Sequence, residues 1–189
     1  SVTIDGFRFI NGFADGSGNF EDDDILINRT HGPGIYAINS TVKIKNCVII
    51  NNTGIGDGGG IFATDTSNII ISNSIIANNL TGDEGGGMCL RNLSTATITN
   101  TTFFNNRAAV TDNGGAIYNT TGTTLNTYNS IYWGNHAGNE SNNFNGGGDR
   151  NRFYCIIENG NYNNHNIPED PGFINVFDFK GPDNLWLTE

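Results

Sequence analysis

Three groups of residues in this chain have types and spacing that could do chemistry. The first is acidic. Asp22, Asp23 and Asp24 follow Glu21 in the stretch ADGSGNFEDDDILINRTHGPG, with Asp15 before them and His31 after. Clustered carboxylates suit calcium, which takes about six to eight oxygen ligands, although EF-hand spacing is absent. The second group sits beside glycines: Asp57 in NNTGIGDGGGIF, Asp83 and Glu84 in GDEGGGMC, Asp112 in TDNGGAIY. The third is aromatic: Phe104, Tyr132 and Trp133 are candidates for the C–H face of a carbohydrate. NNTGIGDGGGIF is no phosphate loop, because neither the Lys-Ser/Thr pair nor a helix follows it.

The elements that must position these groups are set by a repeat. HGPGIY, DGGGIF, EGGGMC and NGGAIY recur along the chain. NCVIINN, NSIIANN, NTTFFNN and NSIYWGN recur in the same register, each preceded by a short alternating segment: TVKIK, NIIIS, TATIT, TLNTY. Two landmarks sharing one period of about 27 residues describe a solenoid, each unit being stable only against its neighbours. Each unit reads as three short strands with no helix, which predicts one coil of a parallel β-helix. The expected fold is all-β, with about five coils in residues 1–141. Residues 142–189 form an irregular last coil and a C-terminal cap, in which Phe173, Phe177, Phe179, Leu185 and Trp186 cover the open strand edges.

Alternation places Val42, Ile44, Ile69, Ile71, Ala96 and Ile98 inside. In the next strand Ile49, Ile76, Phe103 and Tyr132 are favoured as inward; a one-residue slip would instead bury Ile50, Ala77, Phe104 and Trp133. If the favoured register holds, Val48/Ile50, Ile75/Ala77, Thr102/Phe104 and Ile131/Trp133 point outward as an apolar stripe, for which a covering segment of the chain is favoured over a partner or a sugar. Ile35, Ile61, Met88 and Ile117 stack after the glycines. Asn46, Asn73, Asn100 and Asn129 form one corner column and Asn52, Asn79, Asn106 and Asn135 a second. Asparagine tolerates left-handed corners, and its amide can bond to the asparagine one coil away.

This coil pattern resembles right-handed parallel β-helices of pectin-lyase-like architecture, and most closely bacterial surface and secreted proteins of the choice-of-anchor Q type. VTIDGFRFINGFADGSGN, NSIYWGNHAGNESNNFNGGG and EDPGFINVFDFKGPDNLWLTE carry the likeness at the start, the last regular coil and the close. The resemblance implies an extracellular or cell-surface location. It also implies a rigid spacer, adhesive or interaction module, belonging to a larger protein whose anchor lies outside this chain. A carbohydrate-binding module, or a polysaccharide lyase or hydrolase, is the alternative. Against catalysis, the polygalacturonase-type acid and His-Gly motifs and the Asp-Pro-His-Asp of alginate epimerases are missing. Arg29, Arg91 and Arg107 fall in loops without a matching set of acids.

Composition narrows the partners. A net charge of −10 with only nine Lys and Arg gives no basic face for nucleic acid. No apolar run is long enough for a membrane-inserted helix. No cofactor is implied other than calcium, for which the acidic turn column is the second candidate, with solvated carboxylates favoured over a bound ion. The expected partners are a polysaccharide or another surface protein. Cys47, Cys89 and Cys155 are odd in number and without metal-type spacing, so they read as small buried residues.

Overall fold

A computed structural model describes residues 1–16, 19–22, 25–111, 113–160 and 162–172, with side chains for all of these except 19–22 and 25–28. The chain winds into a parallel β-solenoid of about five turns. Four sheets run along it. The first joins Val2–Asp5, Thr41–Lys45, Asn68–Ser72, Thr95–Thr99, Thr124–Tyr128 and Asp149–Phe153 in that order. The second joins Arg8–Ile10, Val48–Ile50, Ile75–Ala77, Thr102–Phe104, Ile131–Trp133 and Ile156–Ile157. A third, of two-residue strands, runs from Phe13–Ala14 to His136–Ala137, and an antiparallel Glu140–Ser141 closes it. The fourth stacks Ile35–Ile38, Ile61–Thr64, Met88–Leu90, Ile117–Asn119 and Phe144–Asn145. Each coil therefore has four strands where the sequence pattern predicts three. The third sheet carries pairs such as Thr53–Gly54 and Arg107–Ala108, too short for alternation to register.

Register is strict. Val42, Ile69, Ala96 and Leu125 align, as do Ile35, Ile61, Met88 and Ile117. These residues and Ile49, Ile76, Phe103 and Tyr132 form one core cluster, so the second sheet takes the register favoured from the sequence. The same register leaves Ile50, Ala77 and Phe104 on the other face as a second cluster. That cluster is nonetheless buried, at 1%, 0% and 4% exposure, with Val48, Ile75 and Trp133 packed beside it. The expected stripe is thus covered rather than open.

Both asparagine columns are present, but they work differently. Asn46, Asn73, Asn100 and Asn129 have φ of 50–52°, the left-handed backbone a sharp corner needs. In the second column that role falls to the preceding residues, Asn51, Asn78, Asn105 and Gly134, with φ of 57°, 52°, 50° and 63°. Asn52, Asn79, Asn106 and Asn135 instead turn inward. Each amide donates to the next Oδ1 at 2.9 Å, and the same Oδ1 accepts the backbone N–H of the preceding asparagine. This ladder satisfies polar groups that burial would otherwise leave unpaired.

Length differences fall in the turns on either side of the fourth sheet; after it, partners shift from 26 apart at Ile35 and Ile61 to 27 at Thr41 and Asn68, and from 27 apart at Ile117 and Phe144 to 25 at Thr124 and Asp149. The first coil takes 40 residues from Gly12 to Asn52 because it carries an antiparallel hairpin, Asn19–Asp22 with Ile25–Asn28. Ladder partners are 27 residues apart until Asn106 and Asn135, which are 29 apart. Since Thr81 and Ala108 still pair at the shorter step and Met88 and Ile117 at the longer, the two extra residues enter the sequence between Ala108 and Ile117. Beyond residue 142 the Phe144–Asn145, Asp149–Phe153 and Ile156–Ile157 strands continue the fourth, first and second sheets. The capping residues Phe173, Phe177, Phe179, Leu185 and Trp186 lie outside the described residues.

Candidate functional site

Among the described residues, the densest group of ionisable side chains lies on the outward face of the fourth sheet. Alternation sends Ile61 and Ala63 into the core, so Phe62 faces out, in register with Tyr36 on one side and Cys89 and Tyr118 on the other. Phe62 and Cys89 are buried all the same, at 4% and 0%. His31 stacks on Phe62, with centroids 4.5 Å apart and planes 16° apart, and Tyr36 packs at 5.1 Å.

Asp57 and Glu84 enter from successive glycine turns. The first glycine of each turn, Gly58 or Gly85, is left-handed, with φ of 66° or 70°. This folds the acid back over the sheet. Asp57, Glu84 and Cys89 bring one ligand-type atom each to within 4.8 Å of one another. Arg91, two residues beyond Cys89 on the same outward side, donates Nε to Asp57 Oδ2 at 2.8 Å and Nη2 to Glu84 Oε2 at 2.5 Å. The backbone N–H of Glu84 donates to Asp57 Oδ1 at 3.3 Å, and that of Asp57 to His31 Nδ1 at 2.6 Å.

The environment tunes these groups. Burial raises the Glu84 carboxyl above the ordinary range, against the opposing pull of Arg91. Burial also drives the Cys89 thiol well upward, with the Asp57 charge adding to it, so Cys89 is a neutral thiol. Burial lowers the His31 imidazole, although Asp57 pulls the other way. Tyr118 rises for the same first reason, next to Glu84.

Two expectations change here. The acidic turn column was expected to face water, but Asp57 is only 3% exposed and ion-paired. Arg91 was expected to lack matching acids, yet it bridges two of them. The sequence left repulsion in that column to be relieved by a cation, by splayed side chains, or by Arg91 and Arg107 nearby, and it is the Arg91 guanidinium that supplies the positive charge. Two carboxylates and a thiol are also a poor calcium set, since calcium asks for many oxygens. Asp83 sits apart, its Oδ1 accepting from Asn113 Nδ2 at 3.0 Å on the exposed side. Asp23, Asp24, Asp112 and the side chain of Asp22 lie outside the described residues. The signal for Arg91 was present in the sequence: Cys89 and Arg91 share a strand face by alternation, one coil on from Asp57.

The carbohydrate candidates are not brought together on a surface. Tyr132 is fully buried, stacked on Phe103 at 5.0 Å, with its hydroxyl 2.8 Å from Thr127 Oγ1. It is a core residue, because the inward register that places Phe103 inside places Tyr132 there too. Phe104 is 4% exposed, and Trp133 is half-buried beside it. At the end of the stack a cleft of about 380 Å³ opens among Asn143, Phe144, Arg152, Glu158 and Asn166. Arg152 lies over the Phe144 ring at 4.9 Å. Glu158 accepts from Gly134 N–H and Ser141 Oγ at 3.0 and 2.6 Å. Comparison of the chain with known protein families, with curated proteins and with solved structures finds no match.

Proposed function

We propose that this chain is a non-catalytic β-helix segment of a large bacterial cell-surface or secreted protein of the pectin-lyase-like, choice-of-anchor Q kind. It acts as a rigid spacer that presents an interaction face. The observation that carries this reading is the arrangement around Arg91. Among the described residues, the acids Asp57 and Glu84, with His31 beside them, are tied into an internal network. A general acid or base must reach a substrate proton; Asp57, at 3% exposure, is spent on Arg91 instead. The stack of strictly registered coils supports the spacer part, spanning about 24 Å across six strands at the usual strand spacing.

The test is turnover. The purified chain is incubated with neutral and acidic polysaccharides, and both reducing ends and the ultraviolet absorbance of unsaturated uronates are followed. Neither signal is expected to rise above the protein-free control. Sustained release of either by the wild-type chain, lost in Arg91→Met or Glu84→Gln, overturns the reading in favour of a polysaccharide hydrolase or lyase.

A further inference from the structure

The outer asparagine column ends on a residue of another kind. The position one past each first-sheet strand is Gly6 in the first coil, then Asn46, Asn73, Asn100 and Asn129, and in the last coil it is Tyr154. Tyr154 keeps the same left-handed backbone, with φ of 56°. For asparagine that backbone costs little; for a side chain such as tyrosine it costs about 1–2 kcal/mol. Two more left-handed residues that are not glycine, Asn164 and His165, stand against it, with φ of 57° and 61°. The Tyr154 N–H donates to Asn164 O at 3.1 Å, and the His165 ring stacks on the Tyr154 ring at 4.8 Å and 13°. Strain of this kind persists where the surroundings hold it, and it gathers at ligand-binding sites. Asparagine would serve the corner better, so the fold does not account for the tyrosine.

What the tyrosine does provide is surface. Tyr154 is 59% exposed. One residue earlier, Phe153 stacks on Tyr128 at 5.7 Å and 10°, and Tyr128 is 36% exposed. Two aromatic pairs thus meet at one corner through consecutive residues. Their neighbours on the outward side of the first sheet are Asn126 and Asn151, joined amide to amide at 2.9 Å, with Asn129 next along the corner column. A protein interface would centre on a contiguous apolar core. Rings set among amides instead match a pyranose, which offers a C–H face to a ring's negative face and a rim of hydroxyls to amides. The net charge of −10 disfavours an anionic glycan.

We propose that the corner formed by Tyr128, Phe153, Tyr154 and His165 binds a neutral pyranose polysaccharide. The rings take the C–H faces, and the amides of Asn126, Asn129 and Asn151 take the hydroxyls. This rests on the reading of the chain as an interaction module, and it names the class of partner.

The decisive variant is Tyr154→Asn, which removes the ring and restores the residue the column carries elsewhere. Calorimetric titration with cello- and manno-oligosaccharides, with polygalacturonate as the anionic arm, compares it with the wild type. The wild type is expected to bind a neutral oligosaccharide. Tyr154→Asn is expected to bind roughly tenfold more weakly or worse, with an equal or higher melting temperature. Phe153→Thr, which matches Thr99 in the same column, should weaken binding several-fold by the same loss of stacking surface. Three results overturn the proposal: no binding of either neutral oligosaccharide by the wild type, binding of polygalacturonate alone, or undiminished binding by Tyr154→Asn. Absence of binding without turnover leaves the spacer reading standing, whereas turnover overturns that reading whatever the titration shows.

Discussion

Without Arg91, two carboxylates and the Cys89 sulfur would share a space less than 5 Å across with no positive charge between them. Breaking a buried pair by removing one partner costs more than the pair contributes. Arg91 is itself about a third exposed, which softens the effect. Arg91→Met should therefore destabilise the chain by about 2 kcal/mol, read as a shift of the urea midpoint at unchanged slope. His31 sets a dependence on pH. Its folded-state pKa lies below the ordinary 6.5 because it is buried, with Asp57 and Asp83 opposing that shift and Arg91 reinforcing it. The stability it contributes is present above about pH 6.5 and is lost as the pH falls through the lowered value. Protonation would also place a second N–H against the Asp57 N–H that Nδ1 now accepts. Glu84, whose pKa is raised, works in the opposite sense, contributing most at low pH. His31→Gln keeps an acceptor but cannot titrate, so its urea midpoint should fall less than that of the wild type between about pH 7 and pH 5. At this scale the sequence was partly legible. The acids and Arg91 stood out, but which way a loop carboxylate turns is decided by the glycine before the strand, and periodicity carries no information on that.

The two asparagine columns should respond differently to mutation. Asn106 Oδ1 accepts from both the backbone N–H and the amide of Asn79, and its own amide donates to Ile76 O and Asn135 Oδ1. Asn106→Leu leaves those buried groups unpaired and should cost about 3 kcal/mol or more. On the outer column Asn73→Gly should cost only about 0.5–1 kcal/mol, because glycine keeps φ near 51° and only exposed amide bonds to Asn46 and Asn100, at 3.4 and 3.3 Å, are lost. Asn73→Val should cost about 1–2 kcal/mol. Thermal and urea unfolding of the three variants measure the contrast. The glycines likewise differ by place. A Cβ on Gly60 would meet Gly87 O at 2.6 Å, so Gly60→Ala must push coils apart. Gly134 has no neighbour closer than 3.5 Å to a Cβ, and its column is otherwise asparagine, so Gly134→Asn should be tolerated. Strands, columns and inward residues were legible because apolar alternation and a fixed period specify them. The split of labour between Asn51 and Asn52 was not, since both residues of each pair are asparagine in three coils. Nor was the aromatic corner, since Tyr154 gains meaning only against the column it interrupts.

Across the whole molecule, each coil touches only its neighbours, so protection should grade along the axis. Amide hydrogen exchange is expected to be slowest in the first-sheet strands Asn68–Ser72 and Thr95–Thr99, which have partners on both sides. It should be faster in Val2–Asp5, an edge strand. Phe103→Ala, at the centre of the core, should cost about 3–5 kcal/mol and raise exchange on both flanking coils. Uniform exchange along the axis would instead mean that all coils open together.

The two extra residues between Ala108 and Ile117 bear on how such a chain can change. Between the corner asparagines a single inserted codon would turn every following side chain to the wrong face. Before the glycine turn, the same insertion is absorbed without disturbing the ladder on either side. Because neighbouring coils share one register, a chain joined from a point in one coil to the matching point in the next keeps its side chains on the right faces. The stack can thus lengthen or shorten by whole coils, with single-residue edits tolerated mainly in the turns on either side of the fourth sheet.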